Sequence, residues 1–337
     1  MNYNNQMPRA AITGLGVYLP ERRLTNQDLE KVLDTTSEWI VQRTGICERR
    51  VAGPEETTFT MALAASQQAL AAANLLPEKV DLIICATLIP EYMFPSTASL
   101  LQNALGATHA AGFDLEAACA GFIYALSVAR AYVLSGMAEN ILVIGSETMS
   151  RVIDWQDRST CILFGDGAGA AVVQARRGPS EAGGEIESVV LMNDGSKADC
   201  LIIPGGGSRN PASEETVRQR LHFIKMNGPE VFKSAVRGMS EACLLAAERA
   251  DVKLAEVDLM VAHQANARII EAIQKRLGLP DHKVYQNLQR YGNTSAASVP
   301  IALYDAQQEG RLRPGMRVIV AGFGGGFSCG AALIHWK

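Results

Sequence analysis

The chain reads as an α/β protein whose mostly parallel sheets are covered by helices, and it reads that way twice. Apolar strand-like runs alternate with helix-like stretches along its length, a pattern that favours parallel sheets covered on both faces. LLPEKVDLIICATLIP (75–90) is echoed by VKLAEVDLMVAHQAN (252–266), each following a helix-like stretch (59–74 and 230–249). ENILVIGSE and the later FGDGAGAAVV (139–173) are echoed in the same way by MRVIVAGFGGGFSCGAALI (316–334). A repeat this long is not a solenoid unit. It predicts two similar half-domains, residues 1–176 and 177–337, sharing one core.

Composition fits this and excludes several classes of function. At 337 residues, 48% apolar and 20% charged, the chain can bury a large core. Its net charge of −4 argues against nucleic acid as a partner. No apolar run reaches the roughly 18 residues needed to span a bilayer, so no membrane is expected. The opening MNYNNQMPRA lacks a signal-peptide core, which points to the cytoplasm. The seven cysteines, at 47, 85, 119, 161, 200, 243 and 329, form no CxxC pair. An odd count without metal spacing fits a reducing compartment and predicts neither a disulfide framework nor a bound metal.

Three segments carry candidate chemistry. In AGFDLEAACAGFIYALSVARAYVLSG (111–136) a strand runs straight into a helix with Cys119 at the junction. Unpartnered amides at a helix start favour thiolate over thiol. The helix behind is apolar nearly all round (Phe122, Ile123, Leu126, Val128, Val133, Leu134), so it should be buried. Cys119 is then either packing or a rigidly held nucleophile. In VDLMVAHQANARIIEAIQKRLG (257–278) a strand ends in His263-Gln264-Ala265-Asn266 before an amphipathic helix. In YGNTSAASVPIAL (291–303) a polar turn, Gly292-Asn293-Thr294-Ser295, precedes a helix of small residues. His263 can be a satisfied core histidine, and Asn, Thr and Ser can be helix caps. Together, thiol, imidazole and carboxamide at the carboxyl ends of strands are also a nucleophile with its supporting donors.

The glycine-rich stretches are not cofactor motifs. Gly165-Asp166-Gly167-Ala168-Gly169 lacks the G-x-G-x-x-G spacing and the acid that binds a ribose, and is read as tight hairpin turns. Phe323-Gly324-Gly325-Gly326 is different, because three glycines let backbone approach a ligand closely.

Seven motifs, in order along nearly the whole chain, carry a family resemblance: SEWIVQRTGI (37–46), EAACAGF (116–122), DRSTCILFGDGAGAAVV (157–173), MNGPEVFK (226–233), AHQANARI (262–269), GNTSAAS (292–298) and FGGGFSCGAAL (323–333). The chain resembles β-ketoacyl-acyl-carrier-protein synthase III, the initiating condensing enzyme of dissociated fatty-acid synthesis, in the thiolase superfamily. That resemblance implies a thiolase-like α/β fold of duplicated βαβαβαββ halves in five layers, α-β-α-β-α. It also implies an acyltransferase that joins an acyl-CoA primer to malonyl-acyl-carrier protein and releases coenzyme A and carbon dioxide. Acyl-CoA is then a substrate, and no cofactor is implied.

Residue by residue, the resemblance assigns Cys119, His263 and Asn293 to catalysis. Cys119 thiolate would attack the thioester, and backbone amides of Cys119 and Gly326 would hold the oxyanion. His263 Nε2 and the Asn293 amide would stabilise the malonyl-derived enolate; a neutral imidazole suffices. Asparagine at 293, where elongating relatives use a second histidine, matches the CoA-primed branch. Trp39 and Arg43 would sandwich the adenine of coenzyme A with Arg158 beside them, although Trp39 taken alone reads as a partly buried core aromatic. Gly228, Phe232, Asn266 and Phe323 would line the pantetheine tunnel. Phe94 would cross to a partner subunit and close its acyl pocket, implying a homodimer. Lys233, Arg268, Lys275 and Arg276 would dock the acidic carrier protein, where otherwise they read as a solvated helix face.

Two departures from the family pattern bear on the tunnel. Pro229 stands where asparagine is common and Cys329 where tryptophan is common, which leaves primer preference open; Cys161 and Cys329, being small, would enlarge the space nearby. Three alternatives remain on sequence alone: a relative of specialised metabolism with another acceptor, an acyl-CoA thioesterase in which water takes the acyl group, and a non-catalytic acyl-CoA-binding module.

Overall fold

The computed structural model describes residues 8–178 and 182–337. Most of the polar opening stretch, residues 1–7, lies outside the described residues. Nine strands form one sheet: β1 (Arg9–Tyr18), β2 (Leu82–Ala86), β3 (Ala111–Leu115), β4 (Asn140–Glu147), β5 (Gly167–Arg176), β6 (Gly184–Asn193), β7 (Leu259–Ala262), β8 (Arg317–Phe323) and β9 (Ser328–Trp336). The main helices are α1 (Ser37–Thr44), α2 (Thr58–Ala72), α3 (Thr97–Leu105), α4 (Gly121–Ser135), α5 (Gly228–Arg249), α6 (Ala267–Leu277) and α7 (Ser298–Gln308).

The strand order is β7-β8-β9-β6-β1-β5-β4-β2-β3. Read outward from the β1–β6 junction, one order occurs twice. β1, β5, β4, β2, β3 on one side match β6, β9, β8, β7 on the other, and a parallel bridge from Met260 to Val284 stands in place of a second β3. Only two residue pairs, Ala11–Glu185 and Ile12–Gly184, join β1 to β6. The matching Val-Asp-Leu triplets do matching work. Asp81 accepts hydrogen bonds from the Glu139 and Asn140 amides at the start of β4. Asp258 accepts one from the Arg317 amide at the start of β8 (2.8 Å).

Helices cover the sheet on both faces, with α2 and α3 outside one half and α5 outside the other. Between the halves lie α4 and α7, each touching strands of both. This completes the five layers α-β-α-β-α. The central core draws Ile84, Val143 and Val173 from one half and Val261, Val320 and Ile334 from the other around Phe122, Leu126, Val299 and Leu303. Burying one such side chain contributes about 1.5–3 kcal/mol, and neither half completes this core alone.

Three expectations are corrected. The sheet is mixed, because the glycine-rich strands β5 and β9 run against both neighbours. No helix crosses over between β8 and β9, and a short connection can only return the chain antiparallel. Residues 165–169 are not hairpin turns either. Gly167 already begins β5, Gly165 donates its amide to the Asn293 carbonyl (3.0 Å), and the Asp166 carboxylate accepts from Ala52 (2.7 Å) and Ser150 (2.8 Å) amides. Finally, one helical stretch, Ala118–Ser135, is by length and composition apolar enough to cross a membrane. It contains α4, whose apolarity answers to strands from both halves of the sheet rather than to lipid. Its Arg130 donates to the Ile186 and Glu187 carbonyls of β6.

One close approach fixes the middle of the molecule. A 3-10 turn, Ser295–Ala297, precedes α7 and presses on β4 at Gly145, where an added Cβ would lie 2.4 Å from the Ala296 carbonyl oxygen. No larger residue fits there without moving backbone. Gly145→Ala should therefore lower stability by about 1–3 kcal/mol, read as a reduced urea midpoint at unchanged slope.

Candidate active site

A cavity of about 810 Å³ opens where these strand ends and turns converge. Cys119, His263 and Asn293 all line it, and all are nearly closed to solvent, at 7%, 2% and 6% exposure.

Cys119 lies in a 3-10 turn (Ala118–Ala120) between β3 and α4. Ala118 before it has φ +45°, a left-handed conformation that costs a non-glycine residue about 1–3 kcal/mol. Its amide donates to Glu116 Oε1 (2.9 Å). Gly324, in the connection after β8, packs so closely that a Cβ would lie 2.5 Å from the Cys119 nitrogen. The expected thiolate is corrected here. Burial pushes the Cys119 thiol up to about 12, against the lowering effect of a Ser295 hydrogen bond and its own amide, and Glu147 and Glu116 add to the rise. The regular helix begins only at Gly121, and the loss of water around the sulfur favours the neutral thiol.

His263 follows β7, its amide tied to the Ala321 carbonyl of β8 (2.7 Å). Burial holds its pKa down at about 3, so the ring is neutral. Ser298 Oγ lies 2.6 Å from Nδ1 and also accepts the Gln264 amide (3.4 Å). In the tautomer whose Nδ1 accepts the serine proton, Nε2 carries the ring proton and is a donor. Asn293 is held from both sides: its amide donates to the Leu163 carbonyl (2.8 Å), and its Oδ1 accepts the Ser295 amide (2.9 Å). With Oδ1 engaged, the NH₂ group is the free end.

The other expected residues separate into groups. Gly228, Phe232, Asn266 and Phe323 all line the cavity, as do Gly326 and its neighbour Gly325. Trp39, Arg43 and Arg158 lie together outside it: the two guanidinium carbons sit 5.5 and 5.3 Å from the Trp39 ring centre, and the ring also packs on a core cluster. The Asn266 side chain donates to the Arg43 carbonyl (3.1 Å), which ties this group to the cavity. Phe94 is 85% exposed on a loop with Tyr92 and Met93. Lys233, Arg268, Lys275 and Arg276 are all exposed. Lys233 and Arg268 adjoin the cavity residues Phe232 and Asn266, whereas Lys275 and Arg276 stand about 10 Å further along α6 at 1.5 Å per residue, where they also suit the negative end of the helix.

Pro229 occupies the first turn of α5, where a missing amide costs nothing. Cys161 and Cys329 do not line the main cavity, so their small size does not widen it. Cys329 instead packs near Gly238 and borders a separate pocket of about 70 Å³. Sequence reasoning missed Ser298, Ser295 and Glu147. The two serines lay within a quoted motif, and Glu147 ended a quoted strand.

This frame and this kind of site are those of the thiolase-fold condensing enzymes. Family models narrow the class: that for 3-oxoacyl-[acyl-carrier-protein] synthase III matches residues 113–195, and that for its C-terminal region matches residues 247–336. A β-ketoacyl-[acyl-carrier-protein] synthase III of Symbiobacterium thermophilum is 52% identical over 96% of this chain and 97% of its own. The crystal structure of 3-oxoacyl-[acyl-carrier-protein] synthase III from Aquifex aeolicus VF5 superimposes with a TM-score of 0.89 at 48% identity, covering 97% of this chain and 100% of that one. The priming β-ketosynthase of the R1128 polyketide pathway is similar at 36% identity and TM-score 0.89, over 100% of this chain and 99% of that one. The chain belongs to the β-ketoacyl-acyl-carrier-protein synthase III family, the acyl-CoA-primed condensing acyltransferases that initiate fatty-acid synthesis.

The neutral imidazole has a consequence for stability. Folded His263 cannot take a proton until about pH 3, whereas the unfolded chain takes it near 6.5. Between those values the unfolded state binds more protons, so stability falls as pH drops. His263→Gln should flatten the decline in urea midpoint between pH 6.5 and 4 relative to the parent.

Proposed function

We propose that Cys119 accepts the acyl group of an acyl-CoA and passes it to a malonyl-derived enolate held by His263 and Asn293. The observation that carries this reading is the convergence of the three side chains on one cavity that also holds Gly228, Phe232, Asn266 and Phe323. Cys119 sulfur attacks the thioester carbonyl, and backbone amides of Cys119 and the 324–326 connection hold the oxyanion. Coenzyme A departs through the cavity past Asn266 toward Trp39, Arg43 and Arg158. Malonyl-acyl-carrier protein then enters and loses carbon dioxide. The enolate oxygen meets His263 Nε2–H and the Asn293 NH₂, two neutral donors, each worth roughly 3–4 kcal/mol in such sites. The enolate carbon attacks acyl-Cys119, forming the 3-oxoacyl product and freeing the thiol.

The acyl transfer and decarboxylation need no resident cofactor. Carrier-protein docking is assigned to Lys233 and Arg268 first, with Lys275 and Arg276 at the margin. Phe94 on its exposed apolar loop is assigned to the partner's acyl pocket in a homodimer. Residues 1–176 and 177–337 are read as the two duplicated halves, and the cytoplasm as the place of action. The specialised-metabolism alternative shares this fold, as the R1128 enzyme illustrates. The thioesterase alternative is served poorly by donors placed for an enolate.

Cys119→Ser should abolish acyl labelling from a panel of acyl-CoAs, read as mass added to the peptide carrying residue 119; normal labelling of another residue would refute the assignment. Asn293→Ala should slow malonyl decarboxylation by about 10²–10³-fold while leaving Cys119 acylation largely intact, and equal loss in both steps would count against its enolate role. A thioesterase would instead release free acid with no carbon dioxide.

A further inference from the structure

Arg49 carries a guanidinium fully closed to solvent that the scheme above does not use. It does not line the cavity. Its partners are neutral oxygens. Nη1 donates to the Leu24 carbonyl (3.1 Å) and to Asn26 Oδ1 (2.9 Å), and Nη2 donates to the Ile162 carbonyl (2.8 Å). Among the described residues no carboxylate bonds to it, and its Nε meets no acceptor. A charge buried without a counter-charge adds little to stability, and an apolar side chain of similar volume often serves a fold as well. Stability alone does not explain this arginine.

Its placement does. Ile162 opens the segment on which Asn293 hangs. The Leu163 carbonyl accepts the Asn293 amide (2.8 Å), the Gly165 amide donates to the Asn293 carbonyl (3.0 Å), and Phe164 forms a parallel bridge with Asn293 between them. Leu163 and Phe164 are also cavity walls. The stem of Arg49 closes the other side of the same joint. Cβ atoms added at Gly165 and at Gly292 would lie 3.1 and 3.2 Å from the Arg49 Cβ. Arg49 therefore presses on the residue before Asn293 and on the segment that pairs with it. The other anchor of its fork is fixed as well, because Asn26 Nδ2 donates to the Ile46 carbonyl (2.8 Å).

Resting on the reading of Asn293 as an enolate donor, we propose that Arg49 is a positioning residue for Asn293. It holds residues 162–165 and Gly292 where the Asn293 NH₂ meets the enolate oxygen, and it serves decarboxylation rather than the acylation of Cys119. The planar guanidinium suits this task, since its two outer nitrogens are fixed relative to each other and set the spacing of Ile162 from Asn26 and Leu24. The Ser295 amide on Oδ1 sets the rotation of the carboxamide, whereas Arg49 sets the place of the backbone beneath it. Cys119 depends on other supports, the Ala118–Ala120 turn and the close approach of Gly324, so the two half-reactions separate.

The test measures Cys119 acylation by acyl-CoA and decarboxylation of malonyl-acyl-carrier protein separately, each per folded molecule, with folding read from the urea midpoint. Arg49→Met keeps the stem and removes the fork. It should slow decarboxylation roughly ten- to a hundredfold, as a misplacement on the order of 1 Å does, and leave acylation at the parent rate. Arg49→Lys keeps the charge without the planar fork and should fall in between. Combined with Asn293→Ala, Arg49→Met should slow decarboxylation no further, because it acts through that carboxamide; a general structural role would add its own loss.

Equal loss in both steps, additivity in the double variant, or parent-like decarboxylation in folded Arg49→Met would overturn the positioning role. If Arg49→Met does not fold, the same comparison in Arg49→Lys decides. Failure of both to fold would overturn the role in favour of plain stability. Parent-like decarboxylation in Asn293→Ala alone would instead overturn the functional reading.

Discussion

The Ser295–Ala297 turn, wedged between β4 and the Cys119 turn, is the constraint on which the rest of the centre depends. It can sit there because residue 145 is glycine, and it cannot move away because Leu163 and Gly165 hold Asn293 just before it. From that seat it offers its amides and hydroxyl in three directions. The Ser295 amide orients Asn293, the Ser295 hydroxyl meets Glu147, and α7 follows at once with Ser298 against His263. Its backbone is left-handed at Ser295 (φ +49°), as the Cys119 turn is at Ala118 (φ +45°). Strain of this kind persists only where the surroundings fix the conformation.

Burial sets the electrostatic character of the cavity. The sulfur, the imidazole and the buried Glu147 carboxyl all shift toward their neutral forms, because removal of water penalises charge whatever its sign. Hydrogen bonds to orient these groups therefore matter more than attraction between opposite charges. Cations are kept to the approach: Arg43 and Arg158 stack on Trp39, and Lys233 and Arg268 stand in the open.

Much of this was legible in the sequence, and the parts that were not share a cause. The paired Val-Asp-Leu strands and glycine-rich strands announced a repeated topology, because backbone pairing leaves a periodic signature. The Cys119, His263 and Asn293 motifs announced which side chains would converge on the cavity, because each stood where a strand or turn gave way to a helix. Direction of the last strand in each half was missed, since helix–strand alternation alone does not reveal a short return such as 324–327. The acidity of Cys119 was misjudged because a local rule about helix ends cannot weigh the desolvation imposed by distant strands. Glu147 looked like the end of one more apolar strand; only the fold shows that Thr87 and Ser295 reach it. Arg268, Lys275 and Arg276 looked like one helix face, and geometry divides them between the start of α6, beside the cavity residue Asn266, and its far end.

The shared central layer bears on how the molecule is made. Helix α4 leaves the ribosome with β1 to β5 to cover part of it, but the strands that cover its other side, β8 and β9, begin only at Arg317. Until those are synthesised, Phe122, Ile123 and Leu126 lack part of their packing, in a nascent chain that already carries five paired strands. Such an intermediate exposes apolar surface for most of translation, so folding yield in the cell should depend on chaperone capacity more than the stability of the finished protein would indicate.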